Sequence, residues 1–240
     1  VVGFLTTAIP RFTSSSYLRV WELLLLSASW LGAAIGALGT NPFVHYGFVF
    51  LTIVVLIVFA ARRFLDRDEN PPFTFLFVAA GLLLWGSASF VLAFHPLRRL
   101  PSMLVAPARA LYIHGALLCL VIGVGGRLVP GILGWQKIVA EQRSRYENAR
   151  VYAEEIPGSL WFALFVFLVS YAIQGQIHTQ YLWLMRAGVL LFVAVRYWRL
   201  YRFPPERTGF TWGIWISCWS FVLGMFIPVI WPSGGVHGIH

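Results

Sequence analysis

Apolar stretches close to twenty residues long recur along the whole chain, separated by short polar connectors. They run over Leu18–Leu38, Phe43–Ala61, Phe73–Phe94, Ala108–Leu133, Gly158–Ile177, Tyr181–Val195 and Gly209–Trp231. About twenty apolar residues in a helix cross a ~30 Å hydrocarbon core. In lipid the backbone must satisfy its own hydrogen bonds, so only helices and closed barrels span. These runs are continuously apolar and lack the two-residue alternation of barrel strands. The expected fold is therefore all-α, a polytopic transmembrane helical bundle forming a single domain over residues 1–240. It has seven complete spans plus two partial ones, since Val1–Ile9 reads as the end of a preceding span and His240 stands where another begins. The chain thus reads as part of a longer protein.

Composition agrees. Charged residues make up 11% of the chain and hydrophobic ones 59%, with a mean hydropathy of +0.75; soluble domains carry roughly a quarter charged residues. The net charge of +9 would suggest nucleic acid in a soluble protein. Here the arginines flank apolar runs, which is the pattern of membrane orientation, so no nucleic-acid partner is expected and the lipid bilayer is. Cys119 and Cys218 both fall inside spans and read as small buried hydrophobes. No phosphate-binding glycine loop, nucleophile elbow, HExxH pair or CxxC is present, so soluble-enzyme chemistry is not encoded.

The connectors alternate between two sides. One side collects Arg11, Arg62, Arg63, Arg67, Lys137, Arg143, Arg145, Arg150, Arg196, Arg199, Arg202 and Arg207; the other has Arg98 and Arg99, with Arg109 at its border. Positive charge concentrates on the cytoplasmic side, so the arginine-rich side is the inner one. A tag at Arg143–Glu147 is expected to be reached from the cytoplasm alone; labelling from outside would reverse the assignment.

All six histidines then fall on the outer half: His45 at the start of a span, His95 and His178 in outer connectors, His114 a turn or two into its span, and His237 and His240 after the last outer turn. The acids do the reverse. Imidazole suits copper, zinc and haem iron, and no carboxylate or thiolate lies on this half to compete. A single histidine at a helix end is more often a satisfied interfacial residue, so the argument for a metal rests on the group.

The segment His114–Trp135 concentrates these signals. Gly115, Cys119, Gly123 and Gly126 form a nearly flat stripe beside His114, open either to a neighbouring helix or to the face of a planar ligand. Gly32 and Gly36 form a second close-approach pattern. Arg127, inside the span near its inner end, is a functional residue by default, or a snorkelling anchor. Glu22, the only acid in a span, could pair with it, although Arg19 three residues away is the simpler partner. About 20 Å of helix separates Arg127 from His114, so the two do not serve one metal. Arg186, deeper in a short span, suits a haem propionate or substrate anion, or snorkels to the helix end. Trp21, Trp85, Trp135, Trp183, Trp198 and Trp231 read as an interfacial aromatic belt.

Two motifs resemble those of the NnrS family, polytopic membrane proteins containing haem and copper. Gly3-Phe4-Leu5-Thr6-Thr7-Ala8-Ile9-Pro10-Arg11-Phe12-Thr13 resembles the stretch where the family's first helix ends, with Phe12 in place of its tryptophan. Gly125-Gly126-Arg127-Leu128-Val129-Pro130 resembles the GGRxxP end of a later helix, and His237 to His240 resembles the lead-in to a further one. The resemblance implies a fold of about twelve helices in a bacterial inner membrane, with the histidine-rich half towards the periplasm. It also implies a part in nitric oxide response, nitrosative stress tolerance and denitrification. Haem and copper would be the cofactors, with nitric oxide or a related small molecule as partner. It makes His114, His237 and His240 the first haem or copper ligand candidates, with Arg127 a structural or functional partner; the grouping of histidines adds His45, His95 and His178 as further metal candidates. Two readings from other classes remain: a cofactor-free transporter or channel, and a structural subunit of a respiratory membrane complex.

Overall fold

The computed structural model describes residues 2–13, 18–39, 41–67, 71–98, 100–135, 156–205 and 208–231. Among them the chain is helical, with one isolated bridge between Gln174 and Ile177. The helices are α1 (Val2–Thr13), α2 (Val20–Leu38), α3 (Pro42–Leu65), α4 (Phe75–Arg98), α5 (Ser102–Ala110), α6 (Ala116–Ile132), α7 (Gly158–Ala172), α8 (Thr179–Arg196), α9 (Gly209–Gly224) and α10 (Ile227–Ile230). A π turn at Leu111–Gly115 joins α5 to α6.

Five of the expected spans are long and apolar enough to cross a bilayer: Val20–Leu38, Pro42–Leu65, Phe75–Leu97, Met103–Ile132 and Gly209–Ile230. Among the described residues the other two expected spans fall short of that length or apolarity. α7 is helical for only 15 residues, and α8 carries Arg186 within its 18 residues and Arg196 at its end. They pair as a hairpin that turns at Gly175, whose φ of +94° is open to glycine without steric cost. The helix remnant expected at Val1–Ile9 is the start of α1, and the second partial span falls outside the described residues.

α2 and α3 pack as a tight hairpin, and the sequence shows why. Asn41 caps α3 by accepting from the Val44 backbone N–H at 3.3 Å, and Pro42 follows at a position where its missing N–H costs nothing. The Gly32/Gly36 pair then lets the backbones meet: a Cβ at Gly36 would lie 2.5 Å from the His45 nitrogen. At the ends away from the hairpin turn, Glu22 of α2 meets Arg63 of α3 in a two-pronged ion pair at 2.6 and 2.7 Å, both side chains 1% exposed. Arg62 adds a longer contact at 3.3 Å. The partner of Glu22 is therefore not Arg127, and Arg19 contributes its backbone N–H at 2.8 Å rather than a salt bridge. With this pair formed, α3 runs through both arginines instead of ending before them.

α6 is the central helix. In its span 61% of the apolar window is buried, against 28% in those of α2 and α3, because it contributes to two cores. Cys119 and Ile122 pack with Phe77, Phe167, Leu190 and Val193, while Leu120 and Val124 pack with Leu5, Ile53 and Val78. Its stripe of small residues is filled by Tyr171 of α7 at Gly115 and by α4 and the Thr74 before it from Cys119 to Gly126. A Cβ at Gly123 would lie 2.7 Å from the Val78 backbone nitrogen, one at Gly126 would overlap the Thr74 hydroxyl, and Thr74 Oγ1 donates to the Gly123 carbonyl at 2.8 Å. The stripe is a helix seam, which leaves no face there for a planar ligand. The GGRLVPGILGW end closes on Gly134 (φ +83°), with Trp135 N–H reaching Pro130 O at 2.8 Å and Gly134 N–H reaching Gly131 O at 3.3 Å, a Schellman cap.

One belt residue is misplaced by the sequence reading. Trp198 is 2% exposed, covering Gly125 in the core, because the missing glycine side chain leaves room for an indole.

Candidate functional site

The half of the bundle that carries the described histidines is organised by the π turn. Such turns insert one residue into an α-helix and redirect the side chains around it, frequently at functional sites. Tyr112 and His114, two positions apart, face different neighbours. Tyr112 turns to α3 and α4, with ring centroids 5.1 Å from Tyr46 and 6.3 Å from Trp85. His114 turns to α8, its ring edge-on to Trp183 at 5.9 Å.

The four described histidines are in different chemical states of engagement. His45 is occupied at both ring nitrogens: Nδ1 lies 2.9 Å from the Ala33 carbonyl of α2, and Nε2 lies 3.2 Å from the Tyr112 hydroxyl. That makes it a tie between α2, α3 and the π turn. His178 is exposed at the start of α8, its ring 6.5 Å from Tyr181. His95 sits within the last turns of α4, not in a connector, and its Nδ1 is buried with no hydrogen-bond partner. His114 is half-buried, and neither ring nitrogen has a hydrogen-bond partner among the described residues. His237 and His240 lie outside the described residues. Among those described, no three His, Cys, Asp or Glu side chains come together as a metal-binding group. The histidines therefore share a half of the molecule without forming one cluster.

Arg127 is half-buried near the inner end of α6, well away from His114 along the same rod. Arg186 is the residue whose setting the sequence shows least. It does not snorkel, being 1% exposed. Its Nε donates to Ser170 Oγ at 3.1 Å, and its Nη2 donates to the Ser170 carbonyl at 2.9 Å and to Gln174 Oε1 at 2.6 Å. The guanidinium lies over the Tyr171 ring at 3.7 Å and near Trp183 at 5.3 Å. A signal for this setting exists in the sequence, since two polar residues four apart, Ser170 near the end of α7 and Gln174 just beyond it, close an otherwise apolar run.

What the arrangement offers chemically is an imidazole with free nitrogens beside a buried cation, walled by aromatic rings. A haem or metal ligand needs a neutral imidazole with an available nitrogen. His114 meets that requirement, the buried Nδ1 of His95 meets it in part, and His45 does not, because both its nitrogens are already bonded.

A family model described as NnrS protein matches residues 1–240. No curated protein and no solved structure matches the chain.

Proposed function

The chain belongs to the NnrS family, and from that premise we propose that it is a haem- or copper-binding protein of the bacterial inner membrane, acting in nitric oxide response and nitrosative stress tolerance, with its histidine-rich half towards the periplasm. The observation that carries the reading is the free imidazole of His114, held half-buried on a π turn. His114 would be one ligand. His237 and His240 are the candidates to complete its shell, since no other His, Cys, Asp or Glu groups with it among the described residues. His95, on α4, would be a separate ligand candidate. Bound haem iron or copper would supply a coordination position for a small nitrogen oxide. The residues of this chain supply an aromatic wall at Trp183 and a positive charge at Arg186.

Purified full-length protein is expected to show a Soret band or stoichiometric copper. His114→Ala should weaken that signal severalfold, while His178→Ala, at an exposed position, should leave it unchanged. A colourless, metal-free protein would overturn the reading. So would a spectrum indifferent to His114.

A further inference from the structure

Arg186 presents an imbalance that its neighbours do not resolve. A charge inside a membrane-spanning bundle is costly unless it is paired or wet. Every acceptor it uses is neutral: the Ser170 hydroxyl, the Ser170 carbonyl and the Gln174 amide. The aromatic faces of Tyr171 and Trp183 attract the cation but carry no net charge. Among the described residues no carboxylate reaches it: Glu22 is engaged by Arg63 and Arg62, and the remaining acids belong to inner-side segments. Its third nitrogen, Nη1, has no hydrogen-bond partner among the described residues. The Trp183 ring also lies against His114, 5.9 Å between ring centroids.

An oxygen anion answers all of these at once. It would neutralise the buried cation and accept from Nη1. Guanidinium is well matched to such groups, because its fixed donor fork pairs with the oxygens of a carboxylate or oxyanion. We propose that Arg186, beside the Tyr171 and Trp183 rings, forms a binding site for a small oxygen anion. The anion is either the carboxylate arm of a bound cofactor or a free oxyanion. The site stands on Arg186 and its neutral partners, so it does not require a metal at His114.

The test uses the full-length protein in lipid nanodiscs. The thermal midpoint is followed as sodium formate, and separately sodium nitrate, replaces bulky sodium gluconate at constant ionic strength. A ligand that binds only the folded state raises the midpoint saturably, and that rise is the expected result for the wild type. Arg186→Gln keeps hydrogen-bonding capacity but removes the charge, and should weaken the apparent affinity at least about tenfold, charge-assisted hydrogen bonds being roughly twice as strong as neutral ones. Arg186→Lys should retain part of it. A wild-type protein with no saturable response overturns the site whatever the variants do, and so does an Arg186→Gln protein that responds equally. Repeating the titration on pigment-loaded protein separates the sources. Loss of the response means a cofactor carboxylate fills the site, and persistence means a free anion does. A protein that takes up no pigment still answers the first titration, so failure of the haem reading leaves this site independently testable.

Discussion

Glu22→Ala should destabilise the protein by about 3–5 kcal/mol, the usual cost of leaving one member of a buried ion pair without its partner. Arg63 then loses both hydrogen bonds to that carboxylate while it stays 1% exposed and stacked on Phe59 at 3.8 Å. Glu22→Gln should fall between, because the amide keeps a hydrogen bond to the guanidinium but loses the charge. The informative variant is the double one. Replacing Glu22 and Arg63 together by leucine removes both desolvation costs, and such replacements are often neutral or stabilising. Unfolding in detergent, followed for the four members of the cycle, should give a coupling of several kcal/mol. Two single losses that simply add would show that the pair does not hold α2 to α3.

Gly123→Ala should cost about 1–3 kcal/mol through overpacking, even though alanine is the better helix former by about 1 kcal/mol. The new methyl would meet backbone, the Val78 nitrogen at 2.7 Å and the Thr74 carbonyl at 3.0 Å, so no rotamer change can relieve it. α4 and α6 must separate, and the Thr74 hydroxyl loses its bond to the Gly123 carbonyl, about 1 kcal/mol more. Gly131→Ala and Gly188→Ala are the controls, since nothing lies within 4 Å of a Cβ at either position. Both should be neutral or slightly stabilising. Thermal midpoints that fail to separate Gly123 from these two would mean that α4 and α6 are not in close contact.

The elements easiest to read from sequence were those that depend on lipid. The spans at α2, α3, α4, α6 and α9 announce themselves because a bilayer imposes length and continuous apolarity on each helix separately. The Gly32/Gly36 approach and the Gly134 cap are similarly local. α7 and α8 were harder. Their apolar runs look like spans, but α7 ends at the Gly175 turn and α8 keeps an arginine that a lipid-facing helix would not hold. The stripe Gly115–Gly126 was legible as a close contact, though sequence alone left it open to a helix or a ligand. Val78 and Thr74 decide for the helix.

The candidate site divides in the same way. Sequence collected the histidines on one half, because loop order and charge bias depend on connectivity alone. It could not say which imidazole is free, since that depends on partners far away in the chain. Tyr112 lies 67 residues from His45 and Arg63 lies 41 from Glu22, and no local pattern links such pairs. Membership of the NnrS family, the helical class and the central place of His114–Trp135 were all determined by sequence. Only the tertiary structure decided that His45 is a tie and His114 is available, and that Arg186 is buried among neutral partners. Hydrogen bonding is a matter of ångströms, and only packing sets distances at that scale.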